Sequence, residues 1–140
     1  MKAMEISRTG LDVEWRRLEV IAQNIANANT ARTALGETYR PMRLVSGPKA
    51  GFGAYLGKDG AGQSLDGVAV YGVEPMNLPP RTVYEPANPQ ADAKGFVSYP
   101  GLDQAGEMTL MLKTARAYEA NVVAMNMARQ MYSKALELGR

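Results

Sequence analysis

Gly53-Ala54-Tyr55-Leu56-Gly57-Lys58-Asp59 sets a lysine behind two glycines, the combination that cradles phosphate oxygens in nucleotide-binding loops. Three residues separate the glycines where four are needed, and Asp59 stands where a hydroxyl would bind magnesium, so the segment does not qualify. Asp59 and Asp66 precede Gly60 and Gly67 without the ligand spacing of a calcium loop, and read as Asp-Gly turns. Glu14 and Glu19 are residues of the type that performs general acid–base work, but they fall on a charged helix face with no cleft implied. The chain has no Cys and no His, which removes thiol nucleophiles, disulfides, thiolate or imidazole metal sites and imidazole catalysis. The residues predict no enzyme, no cofactor and no metal site.

A second cluster is polar without being catalytic. Asn24, Asn27 and Asn29 close an otherwise helical stretch, and Asn costs a helix interior several tenths of a kcal/mol relative to Ala, roughly. Two readings follow: the helix frays here, or the amides bond to backbone or to neighbouring helices.

The elements that would carry these groups emerge from the placement of helix breakers. In 140 residues, all eight prolines lie between Pro41 and Pro100 and eleven of fourteen glycines between Gly36 and Gly101. The chain therefore reads as helix, irregular middle, helix, with segments 1–30, 31–101 and 102–140. Leu11, Trp15, Leu18, Ala22 and Ile25 are spaced four, three, four and three, predicting an apolar stripe, widened by Ile21 and Ala28, on a helix over 4–29, with Asp12 and Arg16 at a favourable ion-pair spacing opposite it. Met108, Met111, Ala115, Tyr118, Val122 and Met125 form a longer seam that drifts onward through Ala128, Met131, Ala135 and Leu138. Asp103 is the start signal of that helix and Gly139 its stop.

Neither stripe can be buried by its own helix, so an antiparallel, coiled-coil-like pair of terminal helices is expected. Leu110, Leu112, Val123 and Met127 lie off the main seam, leaving apolar surface that either meets further partners or is covered by the middle folding back. Five of the nine methionines sit on this helix, where unbranched thioethers adapt to several neighbours or simply fill a core. The middle supplies strand candidates at 68–73 and 81–85, a weaker one at 95–99, and a turn-rich, mobile stretch from Gly47 to Gly67. The fold class is mainly α with a small β-rich module.

Sixteen basic and fourteen acidic residues are interspersed, which gives no polyanion-binding surface and argues against nucleic acid as a partner. No apolar run is long enough to span a membrane, and the first residues lack the apolar core of a secretory signal. Neither membrane insertion nor a small-molecule substrate is expected.

Two terminal motifs make the chain recognisable. Ser7-Arg8-Thr9-Gly10-Leu11-Asp12-Val13 followed by Asn24-Ile25-Ala26-Asn27-Ala28-Asn29-Thr30 resembles the start of bacterial flagellar rod and hook proteins. Arg116-Ala117-Tyr118-Glu119-Ala120-Asn121 with Met125 and the closing Ala135-Leu136-Glu137-Leu138-Gly139 resembles the C-terminal signature of the same axial family. Tyr84-Glu85-Pro86-Ala87-Asn88-Pro89-Gln90-Ala91-Asp92 is similar to the middle of its short, proximal-rod members, departing from them at Glu85 and Asn88, where Asp and His are expected. The resemblance implies a structural subunit of the basal-body rod, exported by the flagellar type III apparatus without a cleaved signal and polymerised with itself and other rod proteins into the shaft that transmits torque. It implies assembly contacts at Asn24, Asn27, Asn29, Arg116, Tyr118, Glu119 and Asn121, joining the apolar Leu11, Trp15, Leu18, Ile25, Met108, Met111, Val122 and Met125. From the residues alone, a monomeric helical adaptor or chaperone that binds a client helix remains the alternative.

Overall fold

The computed structural model describes residues 2–31, 36–49 and 66–139. A long helix α1 (Lys2–Ala26) leads into strand β1 (Met42–Pro48), which pairs antiparallel with β2 (Val68–Pro75). A second antiparallel pair joins β3 (Arg81–Tyr84) to β4 (Phe96–Tyr99), and helix α2 (Gln104–Leu138) closes the chain.

The expected succession of helix, short strands and helix is present, with differences that have local causes. Helix α1 stops at Ala26, and Asn27 and Asn29 lie in the turns beyond it, where backbone bonds run from Ala28 to Ile25 and from Thr30 to Asn27. Strand β1 is new: Gly47-Pro48 reads as a break, yet the two residues form the end of a strand opposite Ala69 and Val68. The 68–73 and 81–85 candidates do not share a sheet, because each takes a partner nearer its own end of the module. Between Val45 and Ser46 the register shifts past Tyr71, whose ring lies over Gly47 while its hydroxyl donates to Pro48 O at 2.6 Å. The glycine loop at 51–62, with Gly53–Asp59 and the Asp59-Gly60 turn, lies outside the described residues.

Asp103 does stand at the N-cap of α2 with extended backbone, and its carbonyl accepts from Glu107 N at 2.9 Å. Its side chain makes no capping bond and leans over Gly106 instead. At the other end Gly139 ends the helix at φ −90°, without using the left-handed conformation that favours glycine at this position.

Helix α1 is the hub. One side meets α2 and the other meets both strands of the first hairpin. Val13, Val20, Ile21 and Asn24 are its buried residues: Ile21 and, just past the helix end, Ala28 belong to the widened stripe and are buried, whereas Val13, Val20 and Asn24 lie nearly half a turn from the stripe centred on Leu11, Trp15, Leu18, Ala22 and Ile25. That stripe remains half-buried at Leu11, Leu18 and Ile25 and exposed at Ala22 and Trp15. The physical reason is that α1 is packed from two sides: a single-stripe reading assumes one partner, and the β1–β2 hairpin is the second. Burying Val13, Val20 and Ile21 stabilises this arrangement by roughly 2 kcal/mol each.

Candidate assembly surface

The two helices run antiparallel, as three contacts along α1 show. Asn24 meets Glu107, Trp15 meets Tyr118, and Gly10 meets Asn121. The inward row of α2 is Glu107, Met111, Thr114, Tyr118, Asn121 and Met125, spaced by fours and threes. Met108 is not part of it: it is 53% exposed, because Glu107, the next residue round, is the one that turns inward to Asn24. At Gly10 the backbones approach closely enough that a methyl group would stand 2.8 Å from Asn121 Oδ1. Asn121 is held there by donating to Ala117 O at 3.0 Å.

The opposite side of α1 is bolted to the hairpin by polar groups. Thr9 Oγ1 donates to Ile6 O and accepts from Val68 N at 3.0 Å. Arg17 holds Glu14 at 2.7 Å and reaches Ser46 Oγ at 2.8 Å. Asn24 is 1% exposed and uses its whole hydrogen-bonding capacity. Its Nδ2 donates to Met42 O at 2.7 Å and Glu107 Oε2 at 3.2 Å, and its Oδ1 accepts from Met42 N at 2.9 Å and Tyr39 Oη at 3.0 Å. Burial, and then the Glu107 carboxylate, push the Tyr39 phenol above its ordinary range. Both readings of the asparagine cluster thus apply to different members: Asn27 and Asn29 belong to the helix end, while Asn24 is a bonded interior group. Asn27 also donates to Gln23 O at 2.8 Å. Among the described residues no fully buried side-chain nitrogen or oxygen lacks a partner.

The ion pair expected between Asp12 and Arg16 is replaced by one between Arg16 and Glu19 at 2.7 Å, an exposed pair of little energetic weight. In the second hairpin the two departures at Glu85 and Asn88 prove to be partners. Asn88 Nδ2 donates to Glu85 Oε2 at 2.8 Å, and Tyr99 Oη donates to the same oxygen at 3.0 Å. From the sequence Glu85 and Asn88 stand out only as departures; their pairing needed the folded turn, and the Tyr99 contribution the strand register.

What is left uncovered is apolar and lies on the helices. Among the described elements the strands of the hairpin have their close backbone contacts with α1 and not with α2. Leu110, Leu112, Val123 and Met127 are exposed, as their off-seam positions predict. Beyond Ala128 helix α2 outruns the start of α1, and Met131, Tyr132, Leu136 and Leu138 are all exposed, Leu138 at 89%. Arg116 and Glu119 face outward between these apolar groups, while Tyr118, Val122 and Met125 are half-buried. Trp15, at 57% exposed, extends the open surface onto α1. Among the described residues no group of three or more acidic side chains could hold a metal, and no helix is long and apolar enough to cross a membrane.

A small chain with two long terminal helices, a bonded interior junction and surplus apolar helix surface belongs to the class of structural subunits built to join others. Its relatives agree. Residues 4–32 match the family model "Flagella basal body rod protein", and residues 93–138 match "Flagellar basal body rod FlgEFG protein C-terminal". The chain is 36% identical to the flagellar basal-body rod protein FlgC of Escherichia coli O6:H1 (strain CFT073), over 100% of this chain and 98% of that protein. It is 33% identical to FlgC of Borreliella burgdorferi, over 97% and 95% of the two chains. Against FlgC of Bacillus subtilis (strain 168) the identity is 33% over 99% and 97%. The chain belongs to the FlgC family of flagellar basal-body rod proteins, and is a structural subunit of that rod.

Proposed function

We propose that this subunit is built into the rod through its terminal helices, packing against further copies of itself and against other rod proteins, and that the resulting shaft carries motor torque through the periplasm. The carrying observation is the apolar surface that stays open after the chain has folded: Trp15 on α1, and the overhang of α2 at 127–138. An open helical polymer needs head-to-tail contacts between unlike surfaces, and a projecting helix end with an apolar face on a neighbouring helix supplies two of them.

In this reading Leu11, Trp15, Leu18, Ile25, Met108, Met111, Arg116, Tyr118, Glu119, Val122 and Met125 form the contact region, continued by Asn27, Asn29 and Asn121 at its edges. Asn24 acts on assembly from the interior, by holding the surface in shape. The helices at 1–30 and 102–140 work as one coiled-coil-like unit, supported by the fours-and-threes spacing on α2. The 31–101 module decorates it. The subunit reaches its place through the flagellar export apparatus. Export unfolded is compatible with a fold whose central contact, Asn24 to Glu107, joins residues 83 apart and forms only when both ends of the chain are present. The subunit performs no catalysis and takes no small-molecule substrate.

The test is complementation. A strain lacking its own copy of this protein should regain motility with the wild-type chain but not with a chain ending at residue 126. Both chains should still be secreted, and full motility from the shortened chain would refute the reading.

A further inference from the structure

We infer that Asn24 couples two folding events, the seating of the β1–β2 hairpin on α1 and the closure of α2 onto α1, so that neither persists without the other. The geometry is specific to this one residue. Three of its four hydrogen bonds go to the segment that begins the hairpin, at Tyr39 Oη, Met42 N and Met42 O, and the fourth goes to Glu107 on α2. A primary amide here satisfies both peptide groups of Met42 as a neighbouring strand would, and its remaining donor hydrogen faces the carboxylate of the other helix.

Each side has reason to fail when the other leaves. Glu107 is 7% exposed and accepts from Asn24 Nδ2, so a displaced amide takes a hydrogen bond from a buried carboxylate. Conversely, if α2 departs, Asn24 becomes open to water, which competes for the bonds that tie Met42 and Tyr39 to α1. Among the described elements, the strands of the hairpin approach α1 closely and α2 only across a cleft, so little direct backbone contact is there to supply the coupling. It passes through α1, and through this side chain in particular.

The same groups lie at one end of a cleft of about 310 Å³ between α1, β1 and α2, lined on its apolar side by Val20, Ile21, Leu44 and Leu110. A cleft of this size limits how much direct packing can substitute for the polar link. The consequence is that the outward surface of α1, with Leu11, Leu18 and Trp15, takes its final form in one step. This last clause rests on the function proposed above, whereas the coupling itself does not.

Coupling is reciprocal, and that makes it measurable. Amide hydrogen exchange of the full chain, followed from trimethylamine N-oxide through buffer into urea, crosses the folding transition whatever the starting population. Two windows are read, the strands at 42–48 and 68–75 and the helix at 107–121. Tyr39→Phe removes a bond on the hairpin side and should lower protection in the helix window, by about threefold to tenfold. Glu107→Leu removes the bond on the helix side and should lower protection in the strand window by a similar factor. In an Asn24→Leu background, where both bonds are already gone, both crossed effects should vanish. Crossed effects that survive in Asn24→Leu would overturn the inference, as would their absence from the wild-type chain. If Asn24→Leu folds only in the osmolyte, the comparison is made there, with the same two outcomes. Neither outcome depends on whether the chain enters a rod.

Discussion

Trp15 and Tyr118 face each other across the two long helices with ring centroids 6.2 Å apart and planes inclined at 52°, while the indole keeps more than half of its surface in water. The pair therefore does two things at once. It closes the middle of the helix contact and leaves aromatic surface open to solvent, which is how contact residues in protein interfaces are commonly built. Trp15→Ala should cost the monomer only about 1 kcal/mol, because so little of the ring is buried. Incorporation into rods should fall by a much larger factor. Helicity in urea, followed by circular dichroism since the chain has one tryptophan, gives the first number, and rod yield after secretion gives the second.

Gly10 permits the closest approach of α1 to α2, against Asn121. Gly10→Ala needs only a small shift of the Asn121 amide. Gly10→Leu has to part the helices, and should destabilise by roughly 1–3 kcal/mol. A urea midpoint unchanged in Gly10→Leu would show that the helices do not pack at this position.

Asn24→Asp tests the junction by charge. The variant keeps the acceptors for Met42 N and Tyr39 Oη but places a second carboxylate beside Glu107. Two buried carboxylates cannot both ionise cheaply, so one takes a folded pKa above its unfolded value. Stability is then fully present below the unfolded carboxylate range and lost as pH rises through the raised value. Melting curves should show the variant gaining on wild type between pH 7 and about pH 5. A gap that stays constant over that interval would count against the contact.

Tyr39 and Tyr99 should titrate above the ordinary tyrosine range. For Tyr39 the chief cause is burial, followed by Glu107. For Tyr99 it is the hydrogen bond to Glu85, followed by burial and the Glu85 charge, with Arg81 acting the other way. A raised phenol favours the neutral form in the fold, so its contribution is complete below about pH 10 and disappears as pH rises through the shifted value. Phenolate absorbance should lose one late-titrating proton in Tyr39→Phe, and in Glu107→Gln Tyr39 should move only part of the way back.

Arg116 faces outward on α2, and reversing it to Glu should leave monomer stability within about 0.5 kcal/mol while reducing assembly. Tyr118→Ala should reduce both. Secretion should hold for each, and a matching loss of secreted Arg116→Glu subunit would show that the side chain serves export instead.

The long helices were legible in the sequence because their signals are local. Prolines are absent from both ends, apolar residues recur at threes and fours, and an aspartate stands at the start of α2. The strands β2, β3 and β4 were legible for the same reason, through β-branched and aromatic runs between turns. Strand β1 was hidden by its own ending, since Gly47-Pro48 looks like a break until Val68 and Ala69 are set opposite. The seam on α2 was read one residue off at Met108, because a methionine fits an apolar stripe better than the glutamate that turns inward.

By itself, then, the sequence determined where the chain would be helical, that thiol and imidazole chemistry were absent, and which stretches resembled rod proteins. The tertiary structure alone decided which face of α1 would be buried, and that Asn24 would be an interior group bonded to two elements while Asn27 and Asn29 stayed at the helix end. The reason is one of range. Periodicity records that a helix has an apolar side, but the direction from which partners arrive is set by residues as distant as Met42, Val68 and Glu107, and spacing along one segment carries no trace of them.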